Sequence, residues 1–170
     1  MKELITDRLK LRKLEASDYY AIYHNYASDK EVVKYLTWDT HKSLKETEDY
    51  VRNTIKEYEK NECFRWAICL IDSNEVIGMI DVVEMNVKVP VIGYVLSKKF
   101  WSKHLMSEAL DAVCNYLFEL GYPAIEGRCD LENLGSERVM LNNGFIKAGE
   151  NTLMVKNKPR KIAYFILNNV

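Results

Sequence analysis

The sequence predicts a single mixed α/β domain in which helices lie on the faces of a central sheet. Two observations support this fold class: short β-type runs alternate with segments of helical periodicity, and a turn-forming stretch joins two of the runs into a hairpin. A chain of 170 residues fits one compact domain. Because no repeat, low-complexity tract or linker divides it, residues 1–170 are treated as one domain.

Strands are predicted where apolar and β-branched residues run together or alternate with polar ones. Leucine alternates with charged residues from Leu9 onward, which predicts the first strand. The turn cluster at 72–75 separates two apolar runs and predicts a hairpin. Pro90 stands at the start of a later run, where a strand tolerates it. The remaining strands are predicted over 64–71, 76–83, 89–96, 124–129, 145–148 and 162–167.

Helices are predicted where apolar residues recur at helical spacing behind a capping residue. Ser17-Asp18 is expected to cap a short first helix. Ser43 and Glu46 form a capping box for the second. Gly121 and Gly144 end two later periodic segments, as glycine commonly does. The helices are predicted over 19–26, 44–60, 104–120 and 133–143.

Composition and charge exclude several classes of protein. The net charge is −1 and no basic stripe is present, so we expect no nucleic-acid partner. The basic cluster at 156–161 is expected to be a solvated turn; the alternatives are a polyphosphate or nucleic-acid patch, or a place close to the phosphates of a bound ligand. No stretch approaches the roughly 18 apolar residues of a membrane span, and the charged N-terminus is no signal peptide. We therefore expect a cytoplasmic protein without a membrane partner.

The cysteines and histidines do not suggest a metal site. Four cysteines and three histidines are present, and no two cysteines form a C-x-x-C pair. Structural zinc sites usually need four such ligands at short, regular spacing. We therefore expect no metal, and reduced thiols as in most cytosolic proteins.

The most informative unit is a strand that feeds a helix through a short loop. The strand over 89–96 leads through 97–104 into the helix that follows. The first N–H groups of a helix have no partner inside it, and together with the helix dipole they favour an anion such as a pyrophosphate. Lys98, Lys99 and Lys103 add positive charge nearby. Many such units bind nothing, so the pattern alone does not identify a ligand.

The residues of this unit carry a family resemblance. The stretch I-G-Y-V-L at 92–96, with F-W-S-K-H-L-M-S-E-A-L at 100–110, resembles the coenzyme-binding segment of the GNAT N-acetyltransferases. It is most similar to the branch of the ribosomal-protein acetyltransferases RimJ and RimL. Further segments agree with that branch in order and spacing: T-D-R-L-K-L-R at 6–12, F-R-W-A-I at 64–68, V-I-G at 76–78, and D-L-E-N-L-G-S-E-R at 130–138 before G-F at 144–145. The resemblance covers residues 4–167.

The resemblance implies the GNAT fold, with a mostly antiparallel twisted sheet of about seven strands and helices on both faces. It implies transfer of an acetyl group from acetyl-CoA, the co-substrate, to an amine by direct attack in a ternary complex. It also leaves a homodimer open. The coenzyme-binding residues that it implies are Val95, Leu96, Trp101, Ser102, Lys103, His104, Leu105, Met106, Ser107, Asn133 and Ser136.

The phosphate-binding turn departs from the family pattern R/Q-x-x-G-x-G/A. The corresponding positions here are Trp101, His104 and Met106. Glycine suits such a turn because it adopts a positive φ without strain. His104 keeps the role if its φ is negative, because its N–H is still a donor. A distorted or weakened turn is the alternative.

Two residues are candidates for proton transfer, which is needed because the attacking amine must be neutral. The resemblance implies that Ser136 orders water or relays a proton; alternatively it is a small helix residue that permits close packing. Glu84 follows the 76–83 strand and is the candidate base; alternatively it is an exposed loop carboxylate. The glutamate and tyrosine common in relatives are replaced by Val91 and Met140.

The acceptor side is assigned to Trp38, His41 and Trp66. Trp38 and His41 lie in a loop before the 44–60 helix, and loops carry function more often than cores do. A histidine can take up a proton near neutral pH, although a surface histidine without a role is the alternative. Trp66 is either a core residue or part of an acceptor tunnel. The expected acceptor is a protein N-terminal amine or a small-molecule amine.

The altered turn and the missing acid and base residues also fit a second hypothesis. In it the chain is a degenerate, non-catalytic GNAT-like domain that senses a ligand or serves as an interaction module. This hypothesis predicts no acetyl-CoA binding or an inactive site. An unrelated nucleotide-binding domain would need a G-x-G-x-x-G or G-x-x-x-x-G-K-[ST] motif, and neither occurs.

Overall fold

The computed structural model describes residues 1–60 and 63–169 and contains one eight-stranded sheet. The strands are β1 Leu4–Ile5, β2 Leu9–Arg12, β3 Arg65–Leu70, β4 Val76–Asn86, β5 Val89–Leu96, β6 Ala124–Asp130, β7 Ile146–Val155 and β8 Lys158–Asn168. Their order across the sheet is β1-β2-β3-β4-β5-β6-β8-β7. Neighbouring strands are antiparallel except β5 and β6, which are parallel. The predicted mixed α/β class is confirmed, with one strand more than expected.

The four helices of the described chain agree in position with the prediction. They are α1 Tyr19–Ile22, α2 Leu44–Glu57, α3 Leu105–Glu119 and α4 Leu134–Asn142. The backbone continues beyond α1 as a π-helical turn over Tyr23–Ala27. Short 3₁₀ turns occupy Ala16–Asp18 and Lys98–Phe100. No helix of the described residues combines the length and the apolar character needed to cross a membrane.

The helix ends follow the predicted signals with one difference. Ser43 Oγ accepts a hydrogen bond from the Glu46 N–H at 3.2 Å, as a capping box requires. The Glu46 carboxylate, however, accepts from the N–H of Lys42 rather than from that of Ser43. Gly121 and Gly144 have φ values of 89° and 80°, the left-handed conformation of a helix end.

Asp18 does not cap the first helix as predicted. Its carboxylate instead forms a buried two-pronged ion pair with Arg12, at 2.8 Å from Nη1 and 3.0 Å from Nη2. Arg12 Nε also donates to Asn74 Oδ1 in the β3–β4 turn. The pair therefore ties β2 to the start of the first helical segment, where Asp18 Oδ2 also accepts a hydrogen bond from the Glu15 N–H at 2.7 Å. A planar guanidinium suits such two-pronged binding of a carboxylate.

The sheet is packed on both faces. On one face it meets α3 and α4 through a large cluster that includes Trp66, Leu110 and Phe165. On the other face it meets α1 and α2 through a smaller cluster that includes Ile22 and Val51. We call the second face the α1/α2 face. The two layers cover the middle strands on both faces and leave the edge strand β7 exposed along most of its length.

Candidate active site

A gap opens in the middle of the sheet between β5 and β6. These parallel strands pair only at Val91 with Glu126 and at Ile92 with Gly127, and both continue beyond that point. Further along β5, the N–H of Ser97 donates to the Ile77 carbonyl of β4 at 2.8 Å. Because N–H groups alternate in direction along a strand, those of Leu96 and Tyr94 point away from β4 and into the gap.

The gap therefore offers backbone donors from one of its walls. Of the two β5 residues predicted to bind the coenzyme, Leu96 directs its N–H into the gap, whereas Val95 directs its N–H to β4. Tyr94 supplies a second N–H of the same orientation. The β4–β5 pairing is tight here, because a Cβ at Gly78 would overlap the Val95 carbonyl oxygen.

At the end of β5 the chain turns into α3 and exposes the start of that helix. The first helical bond runs from the Glu108 N–H to the His104 carbonyl at 3.1 Å. The N–H groups of Leu105, Met106 and Ser107 precede it and have no carbonyl inside the helix to accept them. The side chains of Leu105 and Met106 are buried in the core, so only their backbone can meet a ligand. This arrangement suits a phosphate group.

The turn itself has a left-handed backbone at two residues that are not glycine. The φ values are 59° at both Ser102 and His104. The condition set for His104, a negative φ, is therefore not met: the histidine adopts the conformation that glycine prefers. A non-glycine residue in this region costs roughly 1–2 kcal/mol. Trp101 is held close by, because its indole Nε1–H donates to the Leu96 carbonyl at 2.9 Å.

A polar network from the N-terminus holds this turn. Arg8 donates from Nη1 to the Lys103 carbonyl at 3.0 Å and from Nε to Glu108 Oε2 at 2.7 Å. Thr6 Oγ1 and the Arg8 N–H both donate to Glu108 Oε1, at 2.5 and 3.0 Å. Burial raises the pKa of Glu108, but these hydrogen bonds outweigh it and hold the pKa below its usual value. The segment that carries the T-x-R resemblance thus supports the turn.

The second wall of the gap is formed by the start of α4. Asn133 is the N-cap residue, and its Oδ1 accepts from the Ser136 N–H at 3.2 Å. Tyr94 crosses the gap from β5: its hydroxyl lies 2.9 Å from Ser136 Oγ and donates to the Ser136 carbonyl at 3.1 Å. Burial raises the pKa of the Tyr94 phenol, so it keeps its proton. Reasoning from the sequence missed this hydroxyl contact.

On the α1/α2 face, charged side chains surround the last paired residues of β5. Glu84 on β4 and Glu126 on β6 both pair with Val91, one from each side. Arg128 joins them: its Nη1 donates to Glu84 Oε2 at 2.8 Å, and its Nε contacts Glu126 Oε1. The Glu84 side chain remains 47% exposed. The sequence predicted Glu84 but gave no signal for Arg128, because the contact depends on strand register.

Trp38 and His41 lie together beside α2. Their ring centroids are 5.6 Å apart, and His41 stands at the same distance from Tyr50. The Tyr50 hydroxyl contacts Met79 Sδ at 3.6 Å, which connects the group to β4 on the α1/α2 face. Burial lowers the pKa of His41, against an opposing effect of Glu46. The imidazole is therefore neutral near pH 7 and able to accept a proton.

Trp66 does not belong to this group. It is fully buried on the opposite face of the sheet, where its ring lies against Phe64 and Tyr116. Its indole Nε1–H donates to the Lys2 carbonyl at 2.9 Å. The assignment of Trp66 to the acceptor side is therefore wrong: side chains alternate along β3, and this position faces α3. Among the described residues, no group of three potential metal-binding side chains lies close together.

The chain matches a known family over most of its length. Residues 8–146 match the family model described as the acetyltransferase (GNAT) domain. The uncharacterized N-acetyltransferase YoaA of Bacillus subtilis (strain 168) is 30% identical over 149 residues, which cover 86% of this chain and 84% of that protein. The uncharacterized N-acetyltransferase p20 of Bacillus licheniformis is 29% identical over 152 residues, 88% and 85% of the two chains.

Solved structures agree with this match. A GNAT-family acetyltransferase from Bacillus anthracis superposes with a TM-score of 0.86 at 26% identity, covering 98% of each chain. The ribosomal L7/L12 α-N-protein acetyltransferase RimL, in complex with coenzyme A, gives a TM-score of 0.83 at 20% identity and covers 98% of each chain. The second likeness shows the fold alone. The family match, the N-acetyltransferase relatives and the structure from Bacillus anthracis agree, and the chain belongs to the GNAT acetyltransferase family.

Proposed function

We propose that this N-acetyltransferase binds acetyl-CoA in the gap between β5 and β6, with its pyrophosphate at the start of α3. The observation that supports the proposal is the gap itself. In the gap two N–H groups of β5 lack a strand partner, and the gap ends at the unpaired N–H groups at the start of α3. A pantetheine arm has amide groups that can pair with such a strand edge. Lys103 is exposed in the turn and adds positive charge.

The acceptor amine is proposed to enter from the α1/α2 face. Glu84 lies there beside the last paired residues of β5 and is proposed to take the proton of the amine. Arg128 contacts Glu84 through Oε2, so Oε1 is the atom proposed to accept that proton. His41, neutral near pH 7, is proposed to border the acceptor together with Trp38.

The chain's own residues supply the remaining steps. The nitrogen lone pair forms a bond to the thioester carbonyl carbon, and a β5 N–H aimed at the oxygen stabilises the charge that develops there. The C–S bond then breaks, and the sulfur leaves with the bonding pair and takes up a proton. Ser136 is proposed to relay that proton, because its hydroxyl lies on the gap wall next to Asn133. Holding both reactants in place supplies much of the rate.

The class of acceptor remains as expected from the sequence: a protein N-terminal amine or a small-molecule amine. Structural neighbours include RimL, a ribosomal L7/L12 α-N-protein acetyltransferase, and MccE, a microcin C7 self-immunity acetyltransferase. We also place the enzyme in the cytoplasm and propose a homodimer. The four cysteines are free thiols, three of them buried, which fits a reducing compartment.

The test is a calorimetric titration of the purified protein with acetyl-CoA, followed by an assay of thiol release with a panel of peptides and amines. We expect saturable binding that Lys103→Ala weakens and that Lys56→Ala, an exposed lysine on α2, leaves unchanged. Absence of binding up to millimolar acetyl-CoA would overturn the proposal. Tight binding without thiol release across the panel would favour the non-catalytic module suggested by the altered turn.

A further inference from the structure

We propose that Arg8 is a positioning residue that holds the phosphate-binding turn in its left-handed conformation, and so replaces the glycine that such a turn otherwise needs. The inference rests on the proposed binding of acetyl-CoA at this turn. It concerns residues about a hundred positions apart in sequence: Arg8 lies between β1 and β2, and the turn precedes α3.

The Lys103 carbonyl is the first point of control. It belongs to the peptide group directly before His104, and it accepts a hydrogen bond from Arg8 Nη1 at 3.0 Å. The described peptide bonds are trans, so the His104 N–H points in the opposite direction, away from Arg8. Fixing this carbonyl therefore fixes the orientation of the peptide that sets φ at His104.

Glu108 is the second point of control, one helical turn beyond His104. Its carboxylate is held by Arg8 Nε and Nη2 at 2.7 Å each, and by the Thr6 hydroxyl and the Arg8 N–H. Arg8 thus forms hydrogen bonds with the chain both before His104, at Lys103, and after it, at Glu108. The planar guanidinium makes this possible because its donors point in several fixed directions at once.

These hydrogen bonds on both sides of His104 explain how it remains at a φ of 59°. A strained residue remains in a sparsely populated conformation only when its surroundings over-determine it. Glycine would populate the same conformation without such support. Arg8 and His104 are therefore coupled: the turn depends on Arg8 because position 104 is not glycine.

The experiment is a double-mutant cycle on acetyl-CoA affinity with four proteins: wild type, Arg8→Lys, His104→Gly and the double variant. Lysine keeps the positive charge but loses the fork, so a change in affinity reports positioning rather than charge. We expect Arg8→Lys to raise the Kd about tenfold in the wild-type background and less than threefold in the H104G background. This non-additivity is the signature of coupling.

A matched control is Arg52→Lys, since Arg52 is a similarly exposed arginine paired with Glu48 on α2. We expect it to leave the Kd unchanged in both backgrounds. Equal effects of Arg8→Lys in the two backgrounds, or no effect in either, would overturn the inference. If wild type binds no acetyl-CoA at all, the proposed function fails. In that case the melting temperatures of the same four proteins test the role of Arg8. Arg8→Lys should lower the melting temperature more in the wild-type background than in the H104G background.

Discussion

His104 is the residue at which local preference and observed structure disagree most. Its φ of 59° places a residue with a Cβ and an aromatic ring where glycine is preferred. Relief of about 1–2 kcal/mol of strain outweighs the extra chain entropy of glycine, about 0.5–1 kcal/mol. We therefore expect His104→Gly to raise the free energy of unfolding by about 0.5–1 kcal/mol. Urea unfolding measures this, with Lys99→Gly, outside the left-handed positions, as a control that should lower it.

The Tyr94 side chain links β5 to α4 across the gap. Removing its hydroxyl in Tyr94→Phe deletes the contacts with Ser136, so we expect a loss of about 0.5–1.5 kcal/mol in stability and a few-fold higher KM for acetyl-CoA. Ser136→Ala should lower stability to a similar extent and, because Ser136 is the proposed proton relay, should also lower kcat. The double variant should cost little more stability than either change. Unfolding curves and thiol-release kinetics test this; fully additive effects would contradict the link.

A substitution at Glu84 tests its proposed role as the base. If it removes the proton of the amine, Glu84→Gln should lower kcat by about 100-fold or more while the Kd for acetyl-CoA stays the same. Glu126→Gln is the matched control, because Glu126 shares Arg128 but is largely buried, with 15% of its side chain exposed. An unchanged kcat for Glu84→Gln would show that another group or water takes the proton.

Single residues also show where sequence reasoning stops. The strand predicted over 89–96 did not indicate what the Tyr94 hydroxyl contacts, because its partner Ser136 belongs to a helix and lies 42 positions away in the sequence. Trp66 was ambiguous because an aromatic residue in a strand fits a core or a tunnel equally well. Glu84 was found from its place at a strand end, whereas Arg128 depends on register between strands.

At the scale of elements, the β4–β5 hairpin depends on one close approach. A Cβ at Gly78 would overlap the Val95 carbonyl oxygen, and backbone cannot move aside as a flexible side chain can. We expect Gly78→Ala to destabilise the protein by about 2 kcal/mol or more and to weaken acetyl-CoA binding, since β5 would shift. Gly149→Ala on the exposed strand β7 is the control, with no atom within 4 Å of its added Cβ. Thermal unfolding should show a loss for the first variant only.

The helices and the central strands could be predicted from the sequence because each has its own periodicity and end signals. The two-residue strand β1 could not, since Leu4 and Ile5 are too few to show a pattern. β7 and β8 extend well beyond the predicted segments. β7 is the exposed edge strand, and the residues that begin β8, at 158–161, are mostly polar and exposed. The basic cluster at 156–161 is accordingly only in part a turn: Lys156 and Asn157 form the hairpin turn, and the rest belongs to β8.

For the whole molecule, Glu108 links pH to stability. Its pKa is lower in the folded protein than the ordinary value of about 4.3. Its contribution is therefore complete above that value and is lost as the pH falls through the folded pKa. We expect Glu108→Gln to be less stable than wild type at pH 7, and the difference to shrink below about pH 4. Melting temperatures across this range test it, and a difference independent of pH would contradict it.

The candidate site as a whole was predictable only as a list of residues. Family resemblance assigned the turn of 101–107 and the start of α4 to one ligand, and the structure places them on either side of the gap. The gap itself has no signature in the sequence, because it arises where two strands stop pairing after Ile92 and Gly127. The strain at His104 and its support by Arg8 likewise depend on contacts between distant segments.

The short pairing between β5 and β6 has a consequence for the lifetime of the enzyme. Among the described residues, two residue pairs form the backbone ladder that joins β1–β5 to β6–β8, so we expect partial opening of the sheet to begin at this junction. With acetyl-CoA bound as proposed, the ligand would supply hydrogen bonds that β5 and β6 do not make with each other. Binding also lowers the population of the opened state by mass action. A cell with little acetyl-CoA would then hold this enzyme in a form that proteases reach more often, so metabolic state would set its abundance as well as its rate.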